Sequence, residues 1–295
     1  MLVSTLFSSL ALAATATAAC PREQLQNATA EYVASQSQGR VSFTSLASNV
    51  SYTENEQPLA IGSGILTQAL KIDHSRSIHD TELCATFTEL IVTDPKHPYV
   101  IGTRIVFSGR VISTIESIVT DAGDWAFNAT GYLHWNSLER WDPIPAEKRD
   151  SRAVIQAAGD AYFDRFANVN VTVPWGTPCA RLEGGAYTDA RLTGNDTCNL
   201  GVPTNVHVTN RRYVIDQEYG TVDIFLGFPG LDRSVGQQPM PDSHFFRVEG
   251  GKIRYIHTVS SCVNAGCGLN DAELIVLKQE RFLPGPPVWY TNKFN

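Results

Sequence analysis

His244-Phe-Phe-Arg-Val-Glu249-Gly250-Gly251-Lys252-Ile-Arg-Tyr-Ile-His257 reads as a β-hairpin. Two glycines between alternating runs supply the positive φ angles of a two-residue turn. With that turn Glu249 pairs with Lys252, Val248 with Ile253, Phe246 with Tyr255 and His244 with His257. Alternate residues of a strand share a face, so these side chains form one mostly apolar face ending in two adjacent imidazoles. Buried side by side, each imidazole lowers the other's proton affinity, and the pair can share one proton near neutral pH. That arrangement suits general acid–base chemistry, with His257 and His244 exchanging a proton. The structural alternative is two core histidines satisfied by backbone or tyrosine hydroxyls. A slip of one residue at the turn would separate them.

Outward from the hairpin, strands are expected at 206–216 and 221–228, and in the first half at 99–107 and 111–119. A repeat links the halves. Leu25, Ala28 and Tyr32 have helical spacing and recur as Ile155, Ala158 and Tyr162, each 130 positions on. Arg76, Asp80 and Glu82 recur as Arg212, Asp216 and Glu218, an offset of 136. Ile112, Ile115 and Glu116 recur as Ile253, Ile256 and His257, an offset of 141. The Pro- and charge-rich stretch from Trp141 to Asp150, followed by Ser151 as a helix N-cap, separates the two copies. The division is therefore 1–19, a leader; 20–141, one unit; 142–151, a linker; 152–268, a second unit; and 269–295, an extension. A helix followed by segregated strands argues α+β in each unit, with antiparallel hairpin pairing.

The second half, from Val154 to Ser260, resembles the SnoaL-like/NTF2-like cone fold. The helix with Tyr162, the hairpin Arg212–Val222 and the ending Phe245–Ile253 carry the likeness. The first half resembles the same fold through Tyr32, Asp80 and Ile112, and the whole chain resembles a fungal family of secreted proteins with no assigned activity. The resemblance implies two tandem cones, each a curved antiparallel sheet wrapped round a helix and leaving a conical pocket. Such folds often dimerise through their sheets, a tendency that a tandem copy can satisfy internally. They host dehydratases, isomerases, cyclases and pure binding modules, so the fold alone selects no activity. One dehydratase of this fold uses paired histidines, which by resemblance points to His244 and His257. Tyr162 would offer its phenol to the pocket or pack as an aromatic, and Trp175, Phe246 and Tyr255 would contribute substrate-binding walls. In the first half, with Gly109-Arg110 as the turn, Thr103 takes the place of His244 and Glu116 that of His257. An acid on an apolar face can have a raised pKa and act as a base.

With 30 acidic and 23 basic side chains in 295 residues, the net charge of −7 excludes an obvious basic surface for nucleic acid. An apolar run over 2–14 leading into small residues resembles a secretory signal and is too short to span a membrane. Asn27, Asn49, Asn128, Asn170 and Asn195 begin Asn-x-Ser/Thr sequons. Six cysteines allow 15 connectivities. Local loops favour Cys179–Cys198 and Cys262–Cys267, leaving Cys20 with Cys84. These features imply a secreted, glycosylated, disulfide-bonded protein, monomeric or homodimeric.

Asp80 with Glu82 and Asp216 with Glu218 invite a paired-carboxylate reading on carbohydrate, but Asp216-Gln-Glu-Tyr-Gly220 better suits a hairpin turn. Arg76 and Arg212 are then expected as their structural ion-pair partners. His74, His79 and Asp80 lack a diagnostic metal spacing, and there is neither a phosphate-cradling glycine loop nor a Gly-x-Ser-x-Gly elbow. The expected activity is thus cofactor-free and metal-free lyase or isomerase chemistry on a small apolar molecule. The rival is an extracellular module that captures such a molecule without turning it over.

Overall fold

The computed structural model describes residues 20–204, 206–229 and 239–263. Each half begins with a helix, α1 (Arg22–Gln38) in the first and α3 (Arg152–Ala167) in the second, with Ser151 capping α3 by accepting from the Val154 amide. A shorter helix, α2 (Ala129–Asn136), capped by Asn128, lies between the halves. The first sheet contains β1 (Leu46–Glu54), β2 (Gln57–Pro58), β3 (His74–Asp80), β4 (Ala85–Val92), β5 (Tyr99–Ser108) and β6 (Val111–Thr120). The second contains β7 (Trp175–Glu183), β8 (Ala186–Tyr187), β9 (Thr209–Asp216), β10 (Thr221–Phe228), β11 (Met240–Glu249) and β12 (Lys252–Ser260). Their orders are β2-β1-β6-β5-β4-β3 and β8-β7-β12-β11-β10-β9, the same topology twice. The result is the expected tandem α+β cone fold.

Pairing is not wholly antiparallel as anticipated. β1 runs parallel to β6, and β7 parallel to β12. The first strand of each half starts after a helix and a loop, so it is free of the hairpin constraint and joins the sheet beside its last strand. β7 also escaped sequence reading, because Pro174-Trp-Gly-Thr-Pro178 carries strand breakers.

Each helix lies in the hollow of its own sheet. Ile155, Ala158, Tyr162 and Phe166 pack on Val222, Ile224, Phe246, Val248 and Ile256, while Leu25, Ala28 and Tyr32 pack on Leu90, Ile101, Ile105 and Ile115. Gly159 permits this closeness, since a Cβ there would stand 2.8 Å from Ile224 Cδ1. The disulfides Cys20–Cys84 and Cys179–Cys198 form as expected. Cys262 is also disulfide-bonded, and Cys267 lies outside the described residues. All five sequon asparagines are exposed.

The outer faces of the two sheets meet. Phe87 of the first touches Phe225 and Phe245 of the second, at 6.1 and 5.1 Å between ring centroids. Around them Ile78, Ile91, Val100 and Ile118 pack with Val214, Leu182 and Val259. Two crossed ion pairs lock the contact. Arg22, at the start of α1, holds Asp216 at 3.1 and 2.7 Å, and Arg152, at the start of α3, holds Asp80 at 2.7 and 2.6 Å. The same carboxylates accept backbone N–H bonds across the interface, Asp216 from His79 at 2.9 Å and Asp80 from Ile215 at 2.8 Å. Every member of one clamp has its repeat mate in the other, which is the reciprocity of a two-fold interface made within one chain. Both aspartates also accept turn amides, as expected of them: Asp80 from Leu83 and Asp216 from Glu218. Their arginine partners are not Arg76 and Arg212, which sit on β3 and β9 and pair elsewhere.

Asp80 and Asp216 are almost wholly buried, and removal of one partner strands a buried charge. Asp80→Asn and Asp216→Asn are each expected to destabilise the fold by about 3 kcal/mol in urea unfolding. Glu82→Gln, at an exposed turn position, is expected to have little effect.

Candidate functional site

The last hairpin departs from the simple register one step past its turn. Glu249 pairs with Lys252 and Val248 with Ile253 as expected, but Arg247 then faces Tyr255, Phe246 faces Ile256, Phe245 faces His257 and His244 faces Thr258. Arg254 is the extra residue of a β-bulge on β12. Beyond a bulge every side chain changes face relative to an unbulged strand. His244 keeps the face of Phe246 and Val248 in the hollow of the second sheet, whereas Tyr255 and His257, past the bulge, join its outer face. The anticipated facing of the two imidazoles is overturned. The first half carries the same bulge at Ser113, so that Thr103 faces Ser117 and Glu116 faces Arg104. The repeat equivalence of Thr103 with His244 and of Glu116 with His257 is kept, but the two positions of each pair lie on opposite faces.

Within the second cone, His244 forms a dyad. Asp242 and His244 are two residues apart on β11 and so project to one side, and His244 Nδ1 hydrogen-bonds the Asp242 carboxylate. Ser260 Oγ donates to the other oxygen of the same carboxylate. A carboxylate accepts, so Nδ1 is the donor of this bond, and Nε2 has no hydrogen-bond partner among the described residues. The imidazole lies 5.6 Å from the Tyr162 ring and 4.9 Å from that of Phe163. Burial pushes the Tyr162 phenol well above its ordinary pKa, against the pull of the Arg181 guanidinium, so it remains a hydrogen-bond donor. Arg181 is itself fixed by the carbonyls of Cys198 and Leu200, at 2.9 and 2.6 Å, and by Glu183 at 2.9 Å. A cavity of about 20 Å³ lies among Tyr162, Arg181, Glu183, Asp242, His244 and Ser260, with Phe166, Pro203 and Phe228 among its other walls. That is room for about one water. Asp242 and Arg181 were missed in the sequence, although the Asp242-Ser-His244 spacing alone puts acid and imidazole on one strand face.

The other expected pocket residues fall outside this cavity. Phe246 is buried against Tyr162, with 5.4 Å between rings, and Trp175 packs on Tyr162 at 5.8 Å, so both support the phenol without lining the cavity. Glu116 is not a lone acid on an apolar face but the partner of Arg104 at 2.5 Å and Arg212 at 2.9 Å. The first cone has hydroxyls where the second has a dyad: Tyr32 meets Thr103 at 2.7 Å, and Thr103 meets Ser117 at 2.9 Å. Glu54 accepts from Tyr52 and from the Ile65 amide, binding the 65–68 segment over this cone. The His74–Asp80 run assembles no metal site, since Asp80 is taken by Arg152 and His79 Nε2 meets Thr29 at 3.1 Å.

His257 is buried at the contact between the sheets. Its Nδ1 lies 2.8 Å from Glu89 and its Nε2 2.6 Å from Glu139. Glu89 also accepts from Tyr132 at 2.8 Å, Asn136 at 2.7 Å and Arg76 at 3.1 Å, and Trp141 donates to Glu139 at 2.9 Å. The Arg76 guanidinium covers the Trp141 ring at 4.4 Å. Burial alone would lower the His257 pKa, but the charges and hydrogen bonds of Glu139 and Glu89 override it and raise it to about 9. Burial likewise acts to raise the Glu89 pKa, and His257 and Arg76 reverse that, holding it well below the ordinary carboxylate range. Both ring nitrogens are occupied, so this imidazole is an interface cation.

Comparison with known proteins yields a match of residues 148–260 to a family described as "Domain of unknown function (DUF8021)". That segment comprises α3 and the second sheet, the half that holds the dyad. A hypothetical protein of ketosteroid isomerase-like fold from Catenulispora acidiphila, crystallised with trimethylamine, is similar at 15% identity and a TM-score of 0.28, covering 39% of this chain and 91% of its own. No curated protein matches the chain.

The interface network dictates a pH dependence. The folded-state pKa of His257 lies above its ordinary 6.5, so its contribution is full below about 6.5 and is lost as pH rises through about 9. Glu89 is depressed, so its contribution is present above its ordinary pKa of 4.5 and is lost as pH falls below it. Urea midpoints are expected to fall between pH 6.5 and 9, by about 3 kcal/mol in stability. His257→Gln is expected to flatten that limb of the curve.

Proposed function

We propose that the second cone performs cofactor-free acid–base chemistry on a small molecule, of the proton-shift or dehydration kind, in a secreted and glycosylated protein. The observation that carries this reading is the buried dyad, in which Asp242 orients His244 and leaves Nε2 without a partner among the described residues, beside a polar cavity. In this mechanism Nε2 takes a proton from the carbon next to a carbonyl. Asp242 stabilises the imidazolium that results. The Tyr162 phenol, kept protonated by burial, donates to the oxygen on which negative charge develops, with the Arg181 guanidinium close by. Return of the proton from Nε2 to another atom completes an isomerisation, and its delivery to a departing hydroxyl completes a dehydration. His257 takes no part, because it has a carboxylate on each ring nitrogen.

A cavity of about 20 Å³ admits no substrate without displacement of its walls, among which Phe166, Pro203 and Phe228 carry no polar tie to the dyad. Substrate entry therefore requires these walls to open. Exposed sequon asparagines and the disulfides support the extracellular setting.

The test is deuterium exchange next to the carbonyl of small cyclic ketones in D₂O, followed by NMR with the full-length protein. The wild type is expected to accelerate exchange, and His244→Gln to lower the rate by about 10²–10³-fold. Tyr162→Phe is expected to cost about 10-fold or more, whereas His257→Gln leaves the exchange rate intact at pH 7. Ketone binding without exchange would replace this reading with that of a capture module.

A further inference from the structure

A second concavity lies outside the cones, between the chain that joins the two halves and the outer edge of the last hairpin. We propose that it is a binding site for small aromatic carboxylates. Its volume of about 820 Å³ is in the range of small-molecule pockets, and the residues lining it are all different from those around the His244 cavity. The proposal therefore does not depend on the acid–base chemistry of the cone.

The charge in the groove is opposite to that of the chain. Arg140, Lys148, Arg247 and Arg254 line it against Asp142 and Glu249, in a protein of net charge −7. Arg247 and Glu249 satisfy one another at 2.8 and 2.7 Å, and Arg247 also donates to the Tyr219 carbonyl at 2.5 Å. That leaves Arg140, Lys148 and Arg254 facing Asp142 alone. Arg254 spends one N–H on the Thr177 carbonyl at 2.9 Å, which orients the guanidinium, and its other donors meet no acceptor among the described residues. The Arg140 and Lys148 side chains are exposed and make no ion pair with any described residue. Converging guanidinium and ammonium groups with few competing acids are what a carboxylate needs, and an arginine can take one with two parallel bonds.

The apolar walls supply the second half of the recognition. Pro143, Ile144 and Pro145 form one side, with Pro178 and Tyr255 opposite. Tyr255 is half-buried and backed by Trp141 at 5.6 Å, which is itself stacked on Phe245 at 4.7 Å. The ring is thus held in place before any ligand arrives, which lowers the entropy cost of stacking a flat molecule on it. The β-bulge puts it there, since without the bulge Tyr255 would lie inside the cone. Burial raises the Tyr255 phenol pKa, so the hydroxyl remains a neutral donor towards an anion.

Calorimetric titration of the full-length protein with benzoate at low salt tests this, with benzyl alcohol and acetate as controls lacking the charge or the ring. Benzoate is expected to bind, and each control to bind at least about tenfold more weakly. The double substitution Arg140→Ala with Lys148→Ala is expected to weaken benzoate about tenfold while leaving the thermal midpoint unchanged, because neither side chain supports the fold. Tyr255→Leu is expected to weaken benzoate but not acetate. His244→Gln is expected to change nothing. No benzoate binding, equal binding of acetate, an unchanged affinity in the double variant, or a loss in His244→Gln would each overturn the proposal.

Discussion

The contact between the outer faces of the two sheets is the constraint on which the rest of the structure depends. A curved sheet wrapped round one helix buries its hollow, but its outer face is also apolar here, with Phe87, Ile91 and Val100 on one sheet and Val214, Phe225 and Phe245 on the other. Neither face can be left in water at the roughly 25 cal/mol per Å² that buried apolar area contributes. The two copies solve this by covering each other. Apolar packing has little directional preference, so the crossed clamps of Arg22 with Asp216 and Arg152 with Asp80 set the angle at which the sheets meet. Because each arginine opens the helix of one half and each aspartate ends a strand of the other, the clamps also tie the helices to the partner sheets.

Much of this arrangement is legible in the sequence, and the reason is the repeat. The offsets at Tyr32 and Tyr162, Asp80 and Asp216, and Ile112 and Ile253 give two copies of one α+β unit and place a helix before each sheet. The partners of the two aspartates are not legible, because they come from the opposite copy, and no local spacing records a contact across 72 or 194 positions. The face of each residue on the last hairpin is not legible for a smaller reason. Period-2 reasoning from the Gly250-Gly251 turn is right for two pairs and wrong for all that follow, since Arg254 is inserted as a bulge. Arginine carries no local bulge signal of the kind glycine gives. Only the recurrence of a bulge at Ser113, the repeat mate of Arg254, marks it as a property of the unit.

That one inserted residue divides the chemistry between two faces. On the inner face His244 has one carboxylate on Nδ1 and no partner on Nε2 among the described residues. On the outer face His257 has Glu89 and Glu139 on its two nitrogens and is held as a cation. Identical side chains thirteen positions apart thus meet one carboxylate on the inner face and two on the outer.

The first copy shows the same division with different residues. Its inner positions, Tyr32, Thr103 and Ser117, form a chain of hydroxyls with no group that titrates near neutral pH, and Glu54 ties the 65–68 segment across the cone. Its outer position, Glu116, is an anion held by Arg104 and Arg212, where the second copy holds the His257 cation between two glutamates. At the two ends of the interface the polarity is therefore reversed: acid between bases at one, base between acids at the other. A symmetric pair of identical copies would place the same ion at both ends. Divergence of the copies makes each cluster electrostatically self-sufficient, and it releases the first cone from any need to keep an imidazole. The first copy can then serve as the permanent cover of the second copy's outer face, while the acid–imidazole pair of the inner face is confined to one cone.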